Sequence, residues 1–583
     1  MRPAGLLGVL LLARLFTQPG TSVPFSFWVP IAYLWQDVAV VLAFTIVDYI
    51  VRRDWLGWTL YALIVAYVSF NVPVARALSS PLTLPMIRAA GGPLSDSVRY
   101  YLTPKNLGSI ALILAAGTLL PMCFAQWKPR RPGITAALIV VSLSVTLAGP
   151  YAISRVDTAG RYRNAIGALW PAHLRLRTDR PDNQDWRSSP FPASSNEVNQ
   201  LSRYRGAAAG RNVVLILLES TAARYWPSRP SRPNRDLAID PMPNLTALAS
   251  HGISFEHAYA VYPESIKGLF SVLCSRYPAF DVAPERYSAV SCPALPQQLR
   301  AAGYRTAMFH SGRFMYLGMP AIIEKRGFEV LEDAGTIGGN VHSSFGVDDS
   351  STARRLLSWI DSLRPSERFF ITYLPVAGHH PYATPEPGPF PISTQDGELN
   401  RYLNALHYGD AALGELLSGL RTRNLDRNTL FVLFGDHGEA FGQHEGNFGH
   451  TFFIYDENVH VPYVIAAPGL IEDKIRISSA ASLIDTAPTI LDLLGLRIPE
   501  EFQRTSLLDP APRMSLFFTD YSLGWLGLYD ACAKYLFELN SGRSKLYDVC
   551  RDPDETKDLS DREPDRISAY RSRLEQWIAA QNN

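Results

Sequence analysis

Residues 212–221 read NVVLILLEST, and the way that run ends decides the fold. From Val213 to Leu218 every residue is valine, leucine or isoleucine, the composition of a strand buried on both faces of a parallel sheet. The run stops on Glu219, Ser220 and Thr221 rather than on glycine or proline. In open α/β sheets, reactive and binding groups collect at the carboxyl ends of the strands. Glu219 is therefore either a solvated strand end or part of a site completed by a neighbouring strand.

From residue 211 onward, apolar runs alternate with helical patterns. Strands are expected at 212–218, 305–309, 369–374, 429–434 and 461–466, with helices at 296–302 and 400–420. That alternation predicts an α/β fold with a mostly parallel central sheet. A second strand also runs into functional groups. The stretch FGDHGEAFGQHEGNFGH, 434–450, places Asp436 and His437 at its end, followed by Gly438, which permits a sharp turn. Parallel strands bring such ends together. Glu219, Asp436 and His437 then form an O,O,N donor set suited to one divalent cation, Zn2+ or Mn2+.

Three protein ligands leave room for a nucleophile. PESIKGLFSVLCSRYP, 263–278, offers Ser265 just ahead of a helical pattern. A hydroxyl at a helix N-terminus beside a cation is eased toward the alkoxide. Without such neighbours, Ser265 would be a plain N-cap residue. Thr221 is a rival, but it lies too close to Glu219 in the strand-end turn and has no helix after it.

The first third of the chain is of a different kind. Apolar segments at 4–17, 28–50, 55–77, 106–126 and 133–152 approach or reach the ~20 residues that span a bilayer. The first is short and carries Arg14, so a signal peptide is its rival reading; no small-residue cleavage site follows it, which favours a retained helix. Arg2, then Arg52 and Arg53, then KPRR at 128–131 fall in alternate connections, which places them on the cytoplasmic side and everything after 153 outside. The loop 78–105 is then external and suits an interfacial segment. Residues 154–210 read as a juxtamembrane helix (RYRNAIGALW, 161–170) and an irregular tether. The expected division is 1–153 membrane domain, 154–210 linker and 211–583 catalytic domain. Few charges fall within the helices, Arg14 and Asp48 among them, so no ion path of a transporter suggests itself. With 55 Lys and Arg against 54 Asp and Glu, the chain carries no charge excess that would argue for nucleic acid. Of the 5 cysteines, Cys123 lies in a helix; Cys274, Cys292, Cys532 and Cys550 are expected to pair locally, 274 with 292 and 532 with 550.

Residues 211 to about 560 resemble the alkaline phosphatase–sulfatase superfamily. The matching pieces run in family order: NVVLILLES, MPNLTALASHGISFEHAYA, SIKGLFSVLCSRYP, GHHPY, GDHGEAFGQH, HVPYVIAAPG, SLIDTAPTILDLLG and KLYDVCRDPDETKDLSD. The resemblance implies a small C-terminal β subdomain and a one-metal centre of Glu219, Asp436 and His437, with Ser265 as nucleophile and fourth ligand. His379 in GHHPY matches the family's substrate-side histidine and His450 in NFGH a second, able to stabilise phosphoryl oxygens or protonate a leaving group. His380, His444 and His460 are assigned supporting or structural roles.

Sulfatases mature a Cys or Ser to formylglycine within Cys/Ser-x-Pro-x-Arg; here Lys267 stands at the proline position and Leu269 at the arginine. An unmodified hydroxyl marks the phospho-transferring branch. With the membrane helices, the layout resembles lipoteichoic acid synthases and related phosphoglycerol or phosphoethanolamine transferases, and MFHSGRF (308–314) resembles their FHG segment. That implies a multi-pass protein of a bacterial plasma membrane whose outer domain takes a head group from a phospholipid donor and passes it to a glycan, lipid or polymer acceptor. The tryptophan and arginine that bind glycerol phosphate in those synthases have no clear match. LYDVCRDPDETKDL (546–559) leans toward sulfatases, which leaves a sulfatase or phosphodiesterase as the alternative. A catalytically silent sulfatase-like scaffold is a third possibility, opposed by the complete ligand and nucleophile set.

Overall fold

The computed structural model describes residues 2–17, 25–51, 53–78, 81–82, 99–124, 132–169, 185–191, 200–226, 239–316, 318–339, 341–343, 345–385, 396–509, 511, 513–521 and 523–581. The N-terminal part is a bundle of α1 (Arg2–Thr17), α2 (Val29–Ile50), α3 (Asp54–Leu78), α4 (Pro104–Cys123) and α5 (Pro132–Arg155). Helices α2 to α5 are long and apolar enough to cross a membrane. Helix α1, of 16 residues, is shorter, and its Gly5 and Gly8 lie against Pro121 and Leu120 of α4. The expected five helices are therefore four spans and a shorter companion packed among them. Arg52 and the 128–131 cluster lie outside the described residues, as does most of the 78–105 loop.

The charges inside the bundle are paired. Arg14 is bonded to Asp37 and to the carbonyl oxygens of Arg161 and Tyr162, and Arg2 bridges Asp48 at 3.0 Å and Asp54 at 3.3 Å. A charged pair in an apolar bundle persists only when each partner is satisfied, and these hold helix ends together.

The α/β domain that follows is built on a nine-stranded sheet. Its strands are β1 (Asn212–Leu218), β2 (Ile253–Tyr259), β3 (Tyr304–His310), β4 (Val330–Glu332), β5 (Arg368–Leu374), β6 (Thr429–Gly435), β7 (His460–Val461), β8 (Tyr463–Ala466) and β9 (Ile475–Ser482). The order is β7-β2-β8-β6-β1-β5-β3-β4, with β9 beside β2. Strand β1 is flanked by β5 and β6, both parallel to it, so Leu218 and Gly435 end in register. Strand β8 runs antiparallel between β6 and β2. Strand β2 escapes a periodicity reading because Glu256 and His257 interrupt its apolar run, whereas β9 carries only a short alternation, Ile475 and Ile477 inward with Arg476 outward, before small residues take over. Helices α6 (Ser265–Cys274), α7 (Leu295–Ala301) and α8 (Gly397–Thr422) cover the faces, and two separate apolar cores lie above and below the sheet.

A four-stranded antiparallel sheet follows, β10 (Ser515–Thr519), β11 (Trp525–Asp530), β12 (Ala533–Glu538) and β13 (Arg543–Asp548), closed by α9 (Pro564–Gln581). Disulfides join Cys274 to Cys292 and Cys532 to Cys550. The juxtamembrane helix expected at 161–170 does not form: Ala159 and Gly160 take positive φ, Asn164 is turned back onto Gln36 and Asp37 of α2, and only a 3-10 turn at Gly167–Leu169 remains. The described parts of the tether are irregular, as expected, but anchored. Trp186 is buried beside Tyr277 and Trp577, and the backbone of Gly206 and Ala208 bonds to Asp492 and Leu493 at 2.8 and 2.9 Å.

Candidate active site

The registered ends of β1 and β6 create the site. Beyond Leu218 the chain turns at Ser220, whose φ is 52°. That left-handed turn aims Ser220 N–H at Asp436 Oδ1, 2.9 Å away, and it is held from behind by Tyr402 OH donating to Ser220 O at 2.5 Å. The glycines act by size. The chain bends at Asp436 and His437 as expected, without a positive φ at Gly438, where a Cβ would stand 2.1 Å from Glu457 O. Gly378, which precedes His379, would likewise bring a Cβ to 2.1 Å from Glu219 O.

The side chains of Glu219, Asp436 and His437 converge, all buried, with their donor atoms within 4.8 Å of one another. His437 Nδ1 is paired with Gly438 O at 3.0 Å, which leaves Nε2 facing Glu219 Oε1 at 3.7 Å and Asp436 Oδ2 at 3.6 Å. Burial first, and the charge of Asp436 second, hold the Glu219 carboxyl well above its ordinary range. Burial holds the His437 imidazole below its own. Two buried carboxylates and an imidazole with a free lone pair are costly to keep side by side without a cation, and they fit one.

Ser265 completes the group. Glu264, extended at φ −163°, is the N-cap residue of α6 and makes no side-chain cap, so Ser265 is the first residue of the helix and not its cap. Its Oγ lies 3.1 Å from Glu219 Oε2 and 3.3 Å from His437 Nε2. The first-turn dipole of α6 favours negative charge there. Lys267, at the position of the sulfatase proline, is buried and bonded to both oxygens of Asp520 at 2.8 and 2.9 Å. Thr221 is committed elsewhere, its hydroxyl bonded to Glu219 O at 3.1 Å.

Both histidines expected on the substrate side are brought in. The His450 ring lies 4.1 Å from that of His437, and its Nδ1 is 2.7 Å from Glu439 Oε2. Burial alone would lower His450, but Glu439, followed by Glu219 and Asp436, more than reverses this and raises it to about 9. His379 follows the close approach at Gly378, pairs Nδ1 with His380 O at 2.7 Å, and packs on Phe345; burial holds it down at about 3. His444 is tied to Glu457 at 2.6 Å and His460 to Asp456 at 3.0 Å.

Glu439 and Tyr382 are the members that sequence reasoning missed. Tyr382 OH donates to Glu439 Oε1 at 2.7 Å, which joins the GHHPY loop to His450. Their signal was present, a glutamate two residues beyond the DH pair and the last residue of GHHPY, but only folding shows that they meet. His310, in the MFHSGRF segment at the end of β3, also feels Asp436 and keeps Nδ1 on Leu374 O at 3.1 Å.

Residues 211–496 match the Sulfatase family model, so this stretch is similar to that family. Bovine arylsulfatase K is 28% identical over 188 residues, 29% of this chain. Lipoteichoic acid synthase 2 of Bacillus subtilis is 22% identical over 486 residues, 76% of this chain. The chain spans about a third of the first of these relatives, 34%, and 71% of the second. Among solved structures, the lipoteichoic acid synthase LtaP of Listeria monocytogenes superposes with a TM-score of 0.51 at 19% identity, covering 67% of this chain and 99% of that one, a likeness of fold.

Proposed function

We propose, from this sulfatase-like domain and the apolar helices joined to it, that the protein is a metal-dependent transferase of a bacterial plasma membrane. It moves a phospholipid head group, of the phosphoglycerol or phosphoethanolamine type, to a glycan, lipid or polymer hydroxyl outside the cell. The supporting observation is the setting of Ser265, a serine hydroxyl at the first residue of a buried helix, facing Glu219 and His437 with Lys267 and Leu269 where a formylglycine motif needs proline and arginine. The synthase relative, aligned over most of the chain, supports the transferase side. The arylsulfatase relative supports hydrolysis as the second reading.

Glu219, Asp436, His437 and Ser265 would hold one divalent ion, which supplies charge stabilisation for the nucleophile and phosphoryl oxygens. Ser265 Oγ attacks phosphorus after releasing its proton to water, because Glu219 and His437 would be committed to the ion; the bond from phosphorus to the diacylglycerol oxygen breaks. That oxygen takes a proton from His450, which Glu439 orients, so diacylglycerol leaves as a neutral alcohol. His379, neutral with its Nδ1–H on His380 O, offers Nε2 as an acceptor suited to the incoming hydroxyl. In the second half, the acceptor hydroxyl attacks the phospho-serine, loses its proton to His450, and the Ser265 hydroxyl is restored. Protons balance over the cycle. The cation-rich helix ends near Arg2 and Arg53 lie opposite the ends that meet the catalytic domain, which supports an outward-facing site under the positive-inside rule.

The test is mass spectrometry of the Ser265 peptide from membrane-purified protein incubated with phospholipid vesicles. A head-group phosphate adduct that is absent from Ser265→Ala is expected, and its mass identifies the donor. Formylglycine at 265 would make the protein a sulfatase.

A further inference from the structure

The membrane bundle meets the catalytic domain at the mouth of the site. Thr103 caps α4 by accepting Asn106 N–H at 3.3 Å, and Thr103 N and Asn106 Nδ2 both donate to Tyr101 O at 2.8 Å. The backbone at Tyr101 is thereby fixed by the start of a membrane helix. Its ring lies flat on His380, 6° from parallel with centroids 5.5 Å apart. Tyr100 meets the same imidazole edge-on at 5.5 Å and is bonded to Glu398 and Arg401 of α8. His380 stands between His379 and Tyr382, and Tyr382 continues through Glu439 to His450. The loop bearing His450 has its own contact with the bundle, where Arg161 bridges Glu445 at 2.6 Å and α3 touches Phe448–Gly449.

We propose that Tyr101 is a positioning residue of the active site: its ring, set by the cap of α4, holds the His379–Tyr382 loop in place, so the membrane domain fixes the arrangement of the two substrate-side histidines. Two properties make Tyr101 suited to this. A tyrosine at a helix start in a membrane protein ordinarily turns to the lipid interface, whereas this one turns onto a loop of the catalytic centre. An aromatic face stacked on an imidazole restricts both rotation and translation of that loop in a way that an aliphatic contact of equal area does not. The inference rests on the site described for Ser265 and its histidines, but not on which head group is carried.

The test compares full-length wild type, Tyr101→Leu and Tyr101→Phe in phospholipid vesicles. Turnover of the soluble diester bis(p-nitrophenyl) phosphate is followed beside vesicle phospholipid, together with metal content and hydrogen exchange of the 376–385 and 440–450 peptides. Tyr101→Leu is expected to lower kcat on the soluble diester by tenfold or more and to speed exchange in both peptides. Metal content should stay unchanged, and Tyr101→Phe should behave as wild type. Wild-type kcat and exchange in Tyr101→Leu would overturn the proposal, as would equal losses in Leu and Phe, which would place the effect on the hydroxyl and not on the stacked ring. If wild type cleaves the soluble diester but leaves vesicle phospholipid intact, the lipid-donor reading fails while the comparison at Tyr101 still stands.

Discussion

At the scale of single residues, the site depends on a few side chains that have no neutral substitute. Removing the nucleophile in Ser265→Ala should reduce turnover by about 10³-fold or more, with thermal stability close to wild type, because a small polar atom is lost without opening a cavity. A steady-state assay beside a melting curve checks this, and substantial residual turnover would assign the nucleophile elsewhere. Asp436→Asn removes one of two buried charges that a cation would balance; bound Zn or Mn measured by mass spectrometry should fall well below one equivalent. Gly438→Ala tests the close approach to Glu457 O. A methyl group cannot occupy a 2.1 Å gap, so the strand-end loop must shift, and a loss of about 2–4 kcal/mol in stability is expected together with lower metal content.

At the scale of elements, the segment after α5 is clamped to the C-terminal sheet. Asp157 bridges Arg543 at 3.0 Å and Lys545 at 2.6 Å, both on β13. Burial would push this carboxyl up, but Lys545 and then Arg543 hold it well below its ordinary value of 3.8. A depressed acid stabilises the fold above that ordinary value, and the contribution is lost as the pH falls through the folded value. The stability difference between wild type and Asp157→Asn should therefore be constant at neutral pH and shrink under acid below about pH 4. Melting curves across that range decide it: a difference that persists unchanged into strong acid would mean that the clamp carries no charge term.

At the scale of the whole molecule, the two domains are not beads on a string. Ala32 of α2 and Ala152 and Ile153 of α5 share one apolar cluster with Phe452, Ile454, Phe517 and Trp525 of the catalytic domain. Arg14 adds a polar lock, since it joins Asp37 to the carbonyls of Arg161 and Tyr162. Arg14→Ala would leave the buried Asp37 carboxyl without its ion-pair partner, a cost of about 3–5 kcal/mol. Because the bundle and the catalytic domain share a core, the detergent-solubilised variant should unfold in one transition at a lower temperature than wild type. Two resolved transitions would show instead that the domains unfold independently.

Much of this was legible in the chain before folding, and for physical reasons. The span lengths, the greasy β1 and β6, and the carboxylates and imidazole at their ends follow from composition and period, which are local properties. The donor set Glu219, Asp436 and His437 could be read because parallel neighbours must end together. Other features could not be read locally. The paired contacts of Glu439 and Tyr382, the size-driven need for Gly438 and the stacking of Tyr101 on His380 join residues far apart in sequence. Residues 161–170 misled because helix propensity is weak beside the bonds Asn164 makes to α2. Composition and local pattern settle which groups can do chemistry and which segments are apolar enough for a bilayer; packing settles which of them touch, because contact between remote residues is not a property of the local pattern.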